Sequence, residues 1–462
     1  MKLTFLGAAR EVTGSMLRIE TATSAILIDG GSFQGPRAET RRRNTILPAA
    51  ATGVDAVVLT HAHLDHAGNL PVLVRSGYPG PIYATAATRD LCAYMLRDAA
   101  RIEAADADYL NRRHADDPAW TPIVPRYGED DVAATLERFV CLPYGRATPI
   151  AAAVKATLIE AGHILGSAQV VLDLDERGRR ARVVVSGDLG RKGLPILRDP
   201  AVPPRPIDVL VMESTYGNRR HAPVDEMADV LARVITETCA RGGKLVVPAF
   251  ALGRTQELLY ALHQLRRDRR IPAIPIFVDS PLAIDVTSVF RLHPDSFDAA
   301  TRRILDDGAD LFGFEGVRVT RSREESIAIN AVEGPALIIA GAGMAEGGRV
   351  LHHLRNLVED ARNTVLVVGF MAQHTLGRRL VERRPQVKIW GVERELRAQV
   401  VALNGFSAHA DADDLLAYAI SCAARRVFLV HGEPEAQAAL GRVLGERGIA
   451  AEAPGRGDVV EV

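Results

Sequence analysis

The sequence predicts an α/β protein in which one domain is inserted into another. The chain has 462 residues, a length that normally divides into two cores. Short apolar runs typical of buried strands recur, and most end on a glycine, an acid or a histidine. Between about residues 215 and 400 the pattern changes to buried strands that alternate with amphipathic helices, and metal-binding residue types resume afterwards at His409 and His431.

Polar side chains are predicted at the ends of several of these strands. The apolar run at residues 25–28 and the runs that end near residues 188 and 213 finish at an acid, and the runs that end near residues 163 and 431 finish at a histidine. These strand-end residues are Asp29, His163, Asp188, Glu213 and His431. Because sites commonly form where strand ends and loops meet at one edge of packed sheets, we predict that this edge carries the active site.

Residues 60–68 read Thr-His-Ala-His-Leu-Asp-His-Ala-Gly and place four metal-binding side chains close together, namely His61, His63, Asp65 and His66. The preceding run is a predicted buried strand, so the first two histidines leave its end near-extended with both rings on one side. The chain then bends into a predicted helix, which turns the other two side chains toward a second point. Imidazoles and carboxylates without thiolates favour zinc, with iron or manganese as alternatives, and usually leave one position open for water.

The composition narrows the classes of partner and location. Lys and Arg number 56 against 57 acidic residues, a net charge of −1, so a polyanion would have to meet a local basic surface. The four cysteines lie far apart without a CxxC pair, which fits a reducing cytoplasm. No apolar stretch has the length of a membrane span, and the first strand begins without a leader. We therefore expect a soluble cytoplasmic protein with no membrane contact.

The inserted region repeats a plan of strand, turn and helix. Its turns at Gly253-Arg254 and at 341–348 precede predicted helices, whose N-terminal N–H groups bind phosphates. We accordingly predict substrate contacts at Arg254, Gly343 and Met344. An equally weighted interpretation is that these glycine-rich turns only pack a helix onto a sheet. Basic clusters at 41–43, 266–270 and 378–384 would line a polyanion track, although such runs are more often solvated helix faces.

Taken in order, Asp29, the motif at 61–66, His163 and Asp188 resemble the four motifs of the metallo-β-lactamase fold. Glu-Ser-Thr-Tyr-Gly-Asn from Glu213, Phe-Ser-Ala-His-Ala-Asp around His409 and Val-His-Gly-Glu around His431 resemble the further motifs of the β-CASP ribonucleases. That group includes the nuclease subunit of the cleavage and polyadenylation specificity factor and its prokaryotic counterparts. The resemblance runs from residue 1 to about 460. It implies an αββα sandwich, residues 1–208 and 401–462, interrupted by a β-CASP domain, residues 209–400, with nucleic acid entering between the domains.

The resemblance also implies a role for each motif residue. One zinc ion would be held by His61, His63 and His163, and a second by Asp65, His66 and His431. Asp188 would bridge both ions, so that each subunit holds two. Asp29 would steady the ligands without binding metal, and Glu213 would orient His409. Homodimers occur among relatives, so a dimer is one expected state.

These roles predict a zinc-dependent ribonuclease that cuts single-stranded RNA internally and also from the 5′ end. Two metal ions would gather charge on the phosphate, and a histidinium held by a carboxylate would protonate the leaving ribose oxygen. Two alternatives stay open, a hydrolase of a small thioester or lactone and a non-catalytic RNA-binding scaffold. The inserted domain disfavours a small substrate, because a small substrate needs no cleft between domains. The intact set of expected metal ligands disfavours a scaffold without activity. His374 stands where relatives tend to have glycine, so a backbone change is expected there.

Overall fold

The computed structural model describes residues 1–221, 223–369, 371, 374–403, 405 and 407–462. The chain divides into two compact units. Unit 1 contains Met1–Lys192, Asp199–Arg220 and His409–Val462, and unit 2 contains Gly193–Arg198 and His221–Ala408. The chain therefore passes from unit 1 to unit 2 after residue 220 and returns to unit 1 after residue 408. The boundaries that the sequence predicts lie slightly earlier, after residues 208 and 400.

The strands are numbered in chain order. They are β1 Lys2–Gly7, β2 Met16–Glu20, β3 Ala25–Ile28, β4 Ala56–Val58, β5 Ile82–Ala84, β6 Phe139–Cys141, β7 Thr148–Ala151, β8 Val154–Glu160, β9 Ala168–Glu176, β10 Arg179–Val185, β11 Val209–Glu213, β12 Leu245–Pro248, β13 Ile276–Asp279, β14 Val317–Val319, β15 Leu337–Ala340, β16 Thr364–Val367, β17 Gln386–Ile389, β18 Val392–Glu395, β19 Gln399–Ala402, β20 Arg426–Val430, β21 Ala451–Glu452 and β22 Val459–Glu461.

The helices are numbered in the same way. They are α1 Arg37–Thr45, α2 Leu64–Ala67, α3 Leu70–Arg75, α4 Ala86–Arg113, α5 Glu129–Leu136, α6 Val224–Ala240, α7 Arg254–Arg267, α8 Pro281–Leu292, α9 Ala299–Asp306, α10 Arg323–Ala328, α11 Val350–Leu357, α12 Leu376–Val381, α13 Ala412–Cys422 and α14 Pro434–Glu446. Short 3₁₀ turns occur at Ala49–Ala51, Pro294–Ser296 and Ile329–Ala331. In the described part of the chain, no helix combines the length and the apolar composition that crossing a bilayer requires.

Unit 1 is built on two seven-stranded mixed sheets. Their strand orders are β22-β1-β2-β3-β4-β5-β6 and β21-β20-β11-β10-β9-β8-β7. Apolar side chains of both sheets form one buried cluster that includes Phe5, Ile28, Leu158, Val183 and Phe428. Since side chains alternate between the two faces of a strand, one face of each sheet supplies this shared core.

Helices cover the opposite face of the second sheet. Leu415 and Tyr418 of α13 and Leu440 of α14 pack with Val184 and Leu210 of the sheet in a second buried cluster. The carboxylate of Asp411 accepts hydrogen bonds from the first amides of α13 and so caps that helix. The sheets and their covering helices give unit 1 the layered α/β architecture that the sequence predicts.

Unit 2 contains a six-stranded parallel sheet with the order β14-β13-β15-β12-β16-β19 and a separate two-stranded pair, β17 and β18. Every strand of the larger sheet is short, and the four inner strands β13, β15, β12 and β16 are buried along their whole length. Its connections run through helices, as parallel pairing requires. Val246, Ile338 and Val365 of the sheet pack against Leu354 and Leu380 of α11 and α12 in the main core. This arrangement confirms the predicted parallel α/β insert.

Candidate metal centre and active site

The strand ends of unit 1 carry the predicted site residues. Asp29 follows β3, and the motif that begins at His61 follows β4 in the first sheet. In the second sheet, the loops after β8, β10 and β20 carry His163, Asp188 and His431, and β11 ends on Glu213 itself. His63 keeps an extended backbone, with φ −61° and ψ 147°, and is the N-cap of α2. The predicted near-extended segment followed by a bend into a helix is therefore present.

Four of these side chains form a first cluster of potential ligands. The Nε2 atoms of His61 and His163 each lie 3.2 Å from Nδ1 of His63. Both Nε2 atoms also lie 3.5 Å from Oδ2 of Asp188. Tetrahedral coordination of Zn²⁺ with bonds of about 2.0–2.1 Å places ligand atoms about 3.3–3.4 Å apart. The first cluster therefore has the spacing that a tetrahedral zinc site needs.

A second cluster lies on the other side of the same carboxylate. Nε2 of His66 lies 3.2 Å from Nε2 of His431 and 3.2 Å from Oδ1 of Asp188. Oδ2 of Asp65 lies 3.5 Å from Nε2 of His431. Oδ1 of Asp188 is buried, and no hydrogen bond from the described residues satisfies it. The polar groups that face this oxygen are the ring nitrogens of His66 and His431, at 3.2 and 3.5 Å. Because a buried carboxylate oxygen without a hydrogen bond is costly, a cation bound between this oxygen and the two rings would complete the site.

The imidazoles of the first cluster are held in the neutral form that binds metal. Burial lowers the pKa of His61 and of His163 well below the ordinary value, and neighbouring histidines lower both further against the opposing effect of Asp188. Burial likewise lowers the pKa of His63 to about 4, although Asp65 and Asp188 act in the opposite direction. All three rings are accordingly neutral at pH 7 and offer lone pairs.

The second cluster is short of positive charge. Burial opposes protonation of His66, but Asp188 and Asp29 outweigh it and raise the pKa of this histidine well above its usual range. Burial opposes ionisation of Asp65 and Asp188, yet the surrounding histidines hold the pKa of both carboxyls below the ordinary value. A divalent cation between these groups would supply positive charge to the two carboxylates. Without that cation, the proton on His66 is the source of this charge.

Asp29 is placed to fix the orientation of His66. Its Oδ2 lies 2.7 Å from Nδ1 of His66, and its Oδ1 accepts the amide of Thr60 at 2.8 Å. The hydroxyls of Thr60 and Ser15 each donate to Oδ2 at 3.0 Å. Its backbone has φ 60°, in the left-handed region that a non-glycine residue rarely adopts. Asp29 thus faces the ring nitrogen that does not point at the second cluster.

His409 and Glu213 form a pair beside Asp188. Nδ1 of His409 lies 3.1 Å from Oε1 of Glu213, which also accepts the amide of Leu189 at 2.7 Å. The glutamate side chain is 0% exposed, whereas that of His409 is 21% exposed. Burial lowers the pKa of His409, but Glu213 and Asp188 outweigh this effect and raise it to about 9. The ring is therefore cationic at neutral pH and reaches solvent at one edge.

Several hydroxyl groups of the site were missed by sequence reasoning. Besides Thr60 and Ser15, the hydroxyl of Thr215 lies 3.1 Å from Nδ1 of His431, and that of Ser186 accepts the amide of Glu213 at 3.0 Å. Each lies within two residues of a strand-end acid or histidine or packs against one. This position in the sequence could have indicated that these hydroxyl groups belong to the site. Serine and threonine are too common at strand ends, however, for the position to identify site residues.

The predicted substrate contacts belong to unit 2, and each has a contact within that unit. Arg254 forms an ion pair with Glu257 at 2.6 Å. A Cβ atom on Gly343 would lie 2.7 Å from the ring of Phe250, and the carbonyl of Met344 accepts the amide of Gly377. His374 is exposed and has φ 68°, a conformation that glycine adopts more easily. His374, which stands where relatives tend to have glycine, therefore has a left-handed backbone conformation. Phe406, the first residue of the motif around His409, lies outside the described residues.

Comparison with known proteins identifies the family. Residues 9–222 match the metallo-beta-lactamase superfamily, residues 255–380 the Beta-Casp domain, and residues 393–454 the Zn-dependent metallo-hydrolase RNA specificity domain. Ribonuclease TTHA0252 of Thermus thermophilus is 39% identical over 97% of this chain and 97% of its own length. The chain belongs to the β-CASP family. Its resemblance to that family, its αββα fold with an inserted β-CASP domain and its class, metal-dependent hydrolase, are thereby confirmed.

Other β-CASP relatives and one solved structure extend the comparison. The transcription termination factor FttA of Pyrococcus abyssi is 33% identical over 94% of this chain and 67% of its own length. FttA of Methanosarcina mazei is 32% identical with the same coverage. The crystal structure of a protein of unknown function from Enterococcus faecalis superposes with a TM-score of 0.55 at 12% identity, covering 100% of this chain and 99% of that one. The last match concerns the fold alone.

Proposed function

We propose that this β-CASP chain is a metal-dependent ribonuclease that hydrolyses phosphodiester bonds of single-stranded RNA, internally and from the 5′ end. The observation that carries the proposal is the position of Asp188. Its two oxygens face two separate clusters of histidines, and the His409–Glu213 pair lies beside it. This is the set of groups that hydrolysis of an anionic diester requires, two cation sites that share a ligand and a separate proton donor.

The donor atoms fit two Zn²⁺ ions per subunit, with Mn²⁺ or iron as alternatives of the same ligand class. His61, His63 and His163 would hold one ion, and Asp65, His66 and His431 the other, with Asp188 shared by both. When bound, the two ions would neutralise charge on the phosphate oxygens and make an attacking water more acidic. The spacing within the first cluster and the unsatisfied oxygen of Asp188 support this assignment.

The remaining residues would orient groups and move a proton. Glu213, held by the amide of Leu189, fixes Nδ1 of His409 and favours its cationic form. The exposed edge of His409 would then give a proton to the departing ribose oxygen. Asp29 would keep Nε2 of His66 turned toward the second ion. Attack by water with loss of the 3′ oxygen leaves a 3′-hydroxyl and a 5′-phosphate.

RNA is the preferred substrate on the basis of the relatives. One relative is named as a ribonuclease, and residues 393–454 match a domain described as conferring RNA specificity. A cytoplasmic location belongs to the same proposal, supported by four cysteines that are all free. Homodimerisation is a further expectation, which light scattering of the purified protein on a sizing column tests.

The test is a cleavage assay with three substrates. Purified protein and an Asp188→Ala variant are incubated with end-labelled single-stranded RNA, a thioester and a lactone, and metal content is measured by elemental analysis. The proposal predicts RNA fragments with 5′-phosphates from the wild type alone and two ions per chain. Turnover of only the small substrates would replace it with a small-molecule hydrolase, and RNA binding without products would replace it with a scaffold.

A further inference from the structure

Unit 2 contains a pocket whose lining includes none of the metal-centre residues. It lies at the C-terminal end of α7 and the turn that follows, and its cavity volume is about 400 Å³, within the usual range for ligand pockets. The polar and aromatic residues of its lining are His263, Arg266, Arg267, Arg269, Phe314 and Glu315. The pocket therefore combines cationic groups with an aromatic ring.

The positive charge of this pocket is largely unpaired. Arg267 forms an ion pair with Asp268 at 2.9 Å. Within the ranges that the structure describes, neither Arg266 nor Arg269 has a side-chain hydrogen bond or an ion pair. Glu315 is the single carboxylate among the described lining residues. Two guanidinium groups are thus available to an anionic ligand, and guanidinium matches phosphate geometry well.

A neutral aromatic pair forms one wall of the pocket. The rings of His263 and Phe314 meet edge to face, with centroids 5.4 Å apart and an interplanar angle of 71°. Burial lowers the pKa of His263 and the nearby Arg267 lowers it further, so this ring is neutral at pH 7. Ile271 adds apolar surface. A flat ring with an attached phosphate would find a stacking surface and a cationic partner in one place.

Stabilisation of the helix end does not account for the whole arrangement. Arginines in the last turn of a helix interact favourably with its dipole, which explains Arg266 and Arg267. Arg269 lies beyond the end of α7, where its amide donates to the carbonyl of Arg266 and turns the chain back. Phe314 comes from a different part of the chain. Their convergence around one cavity is what a ligand site requires.

We propose that this pocket is a second, non-catalytic RNA contact that binds one nucleoside phosphate unit of the single strand. Arg266 and Arg269 bind the phosphate, and the base stacks on Phe314. The proposal rests on the proposed function to the extent that RNA is the substrate of this chain. The basic cluster at residues 266–270 by itself fits a solvated helix face. In this proposal its arginines belong to a specific binding site.

The test measures binding rather than cleavage. Full-length protein with Asp188→Asn, which spares the RNA, is titrated with a labelled single-stranded oligoribonucleotide at several salt concentrations, alone and with Arg266→Gln added. Arg146→Gln is the matched control, since Arg146 is an exposed arginine of unit 1 and removes the same charge. Wild-type protein is also titrated with 5′-AMP, adenosine and inorganic phosphate, and 8-azido-AMP is used to locate the contact by cross-linking.

Arg266→Gln is expected to weaken RNA binding about tenfold and to reduce the salt slope by about 0.7, the value for one phosphate contact to a single strand. The control should keep the parent affinity and slope, and the cross-link should map to the segment around Phe314. Equal effects of the two substitutions, or none from Arg266→Gln, would overturn the site. Tight binding of 5′-AMP without any effect of Arg266→Gln on RNA would show a free-nucleotide site instead. RNA that binds here but is never cleaved by the wild type would refute the proposed function and leave this site intact.

Discussion

The carboxylate of Asp29 lies 2.7 Å from Nδ1 of His66, on the side of the ring away from the nitrogen that faces Asp188. A histidine ligand needs its second nitrogen held in this way, because the hydrogen bond fixes both the tautomer and the ring orientation. Removal of Asp29 should therefore damage the second cluster more than the first. This asymmetry can be measured.

Asp29→Ala is expected to lower affinity for one of the two ions by about 10- to 100-fold and to leave the other ion in place. A competition titration with a zinc chelator should resolve one weakened site in the variant and two tight sites in the wild type. Asp116→Asn, which changes an exposed acid of the same unit, is the control. Equal retention of both ions by Asp29→Ala would contradict the orienting role.

Asp188→Ala should reduce the metal content from two ions to at most one, because both clusters share this carboxylate. Cleavage of RNA should fall by at least about 100-fold, the usual effect of losing one major electrostatic contribution. Elemental analysis and a labelled RNA substrate measure the two effects on the same sample. A variant that kept two ions and full activity would show that the carboxylate is not shared.

His409→Ala should slow RNA cleavage by about 10²–10⁴-fold while both ions remain bound, since the residue is expected to donate a proton and not to hold metal. The loss should shrink for a phosphodiester whose leaving group is p-nitrophenolate, which departs without a proton. Glu213→Gln should act in the same direction by weakening the cationic form of His409. If the activated ester were slowed as much as RNA, His409 would have another role.

Asp279 of unit 2 gives a prediction about stability and pH. This carboxylate is 0% exposed and accepts hydrogen bonds or ion pairs from Thr320, Ser326, Arg349 and His353. Burial raises its pKa, but these donors outweigh burial and hold the pKa below the ordinary value. Asp279→Asn should lower the free energy of unfolding by about 3 kcal/mol at pH 7, because the ion pair with Arg349 is lost and the guanidinium keeps only the carbonyls of Thr320 and Arg321.

The sign of the pH dependence follows from the lowered pKa. The ionised Asp279 stabilises the folded state above the unfolded pKa of about 3.9, and this contribution is lost as the pH falls through the folded pKa. The stability difference between wild type and Asp279→Asn should therefore shrink below about pH 4. Urea unfolding at several pH values tests this, with Asp306→Asn as an exposed control. A difference that grew on acidification would contradict it.

The sequence could predict much of the fold and of the site. Hydrophobic runs that end on acids and histidines correctly located the loops after β3, β4, β8, β10 and β20, since strand formation depends on local pattern. The spacing from His61 to His66 sets those side chains close together, because an extended segment followed by one helical turn has little freedom.

The tertiary structure decided which distant groups meet. His431 reaches His66 across 365 positions and His409 reaches Glu213 across 196, and both contacts depend on how the strands of unit 1 pair and pack. The hydroxyls of Thr60 and Thr215, the neutral first cluster and the cationic His409 also depend on burial and on neighbours from other loops. By itself the sequence determined which side chains could bind metal, because local geometry follows from nearby residues. Only the fold decided how they divide around Asp188, because those distances follow from long-range packing.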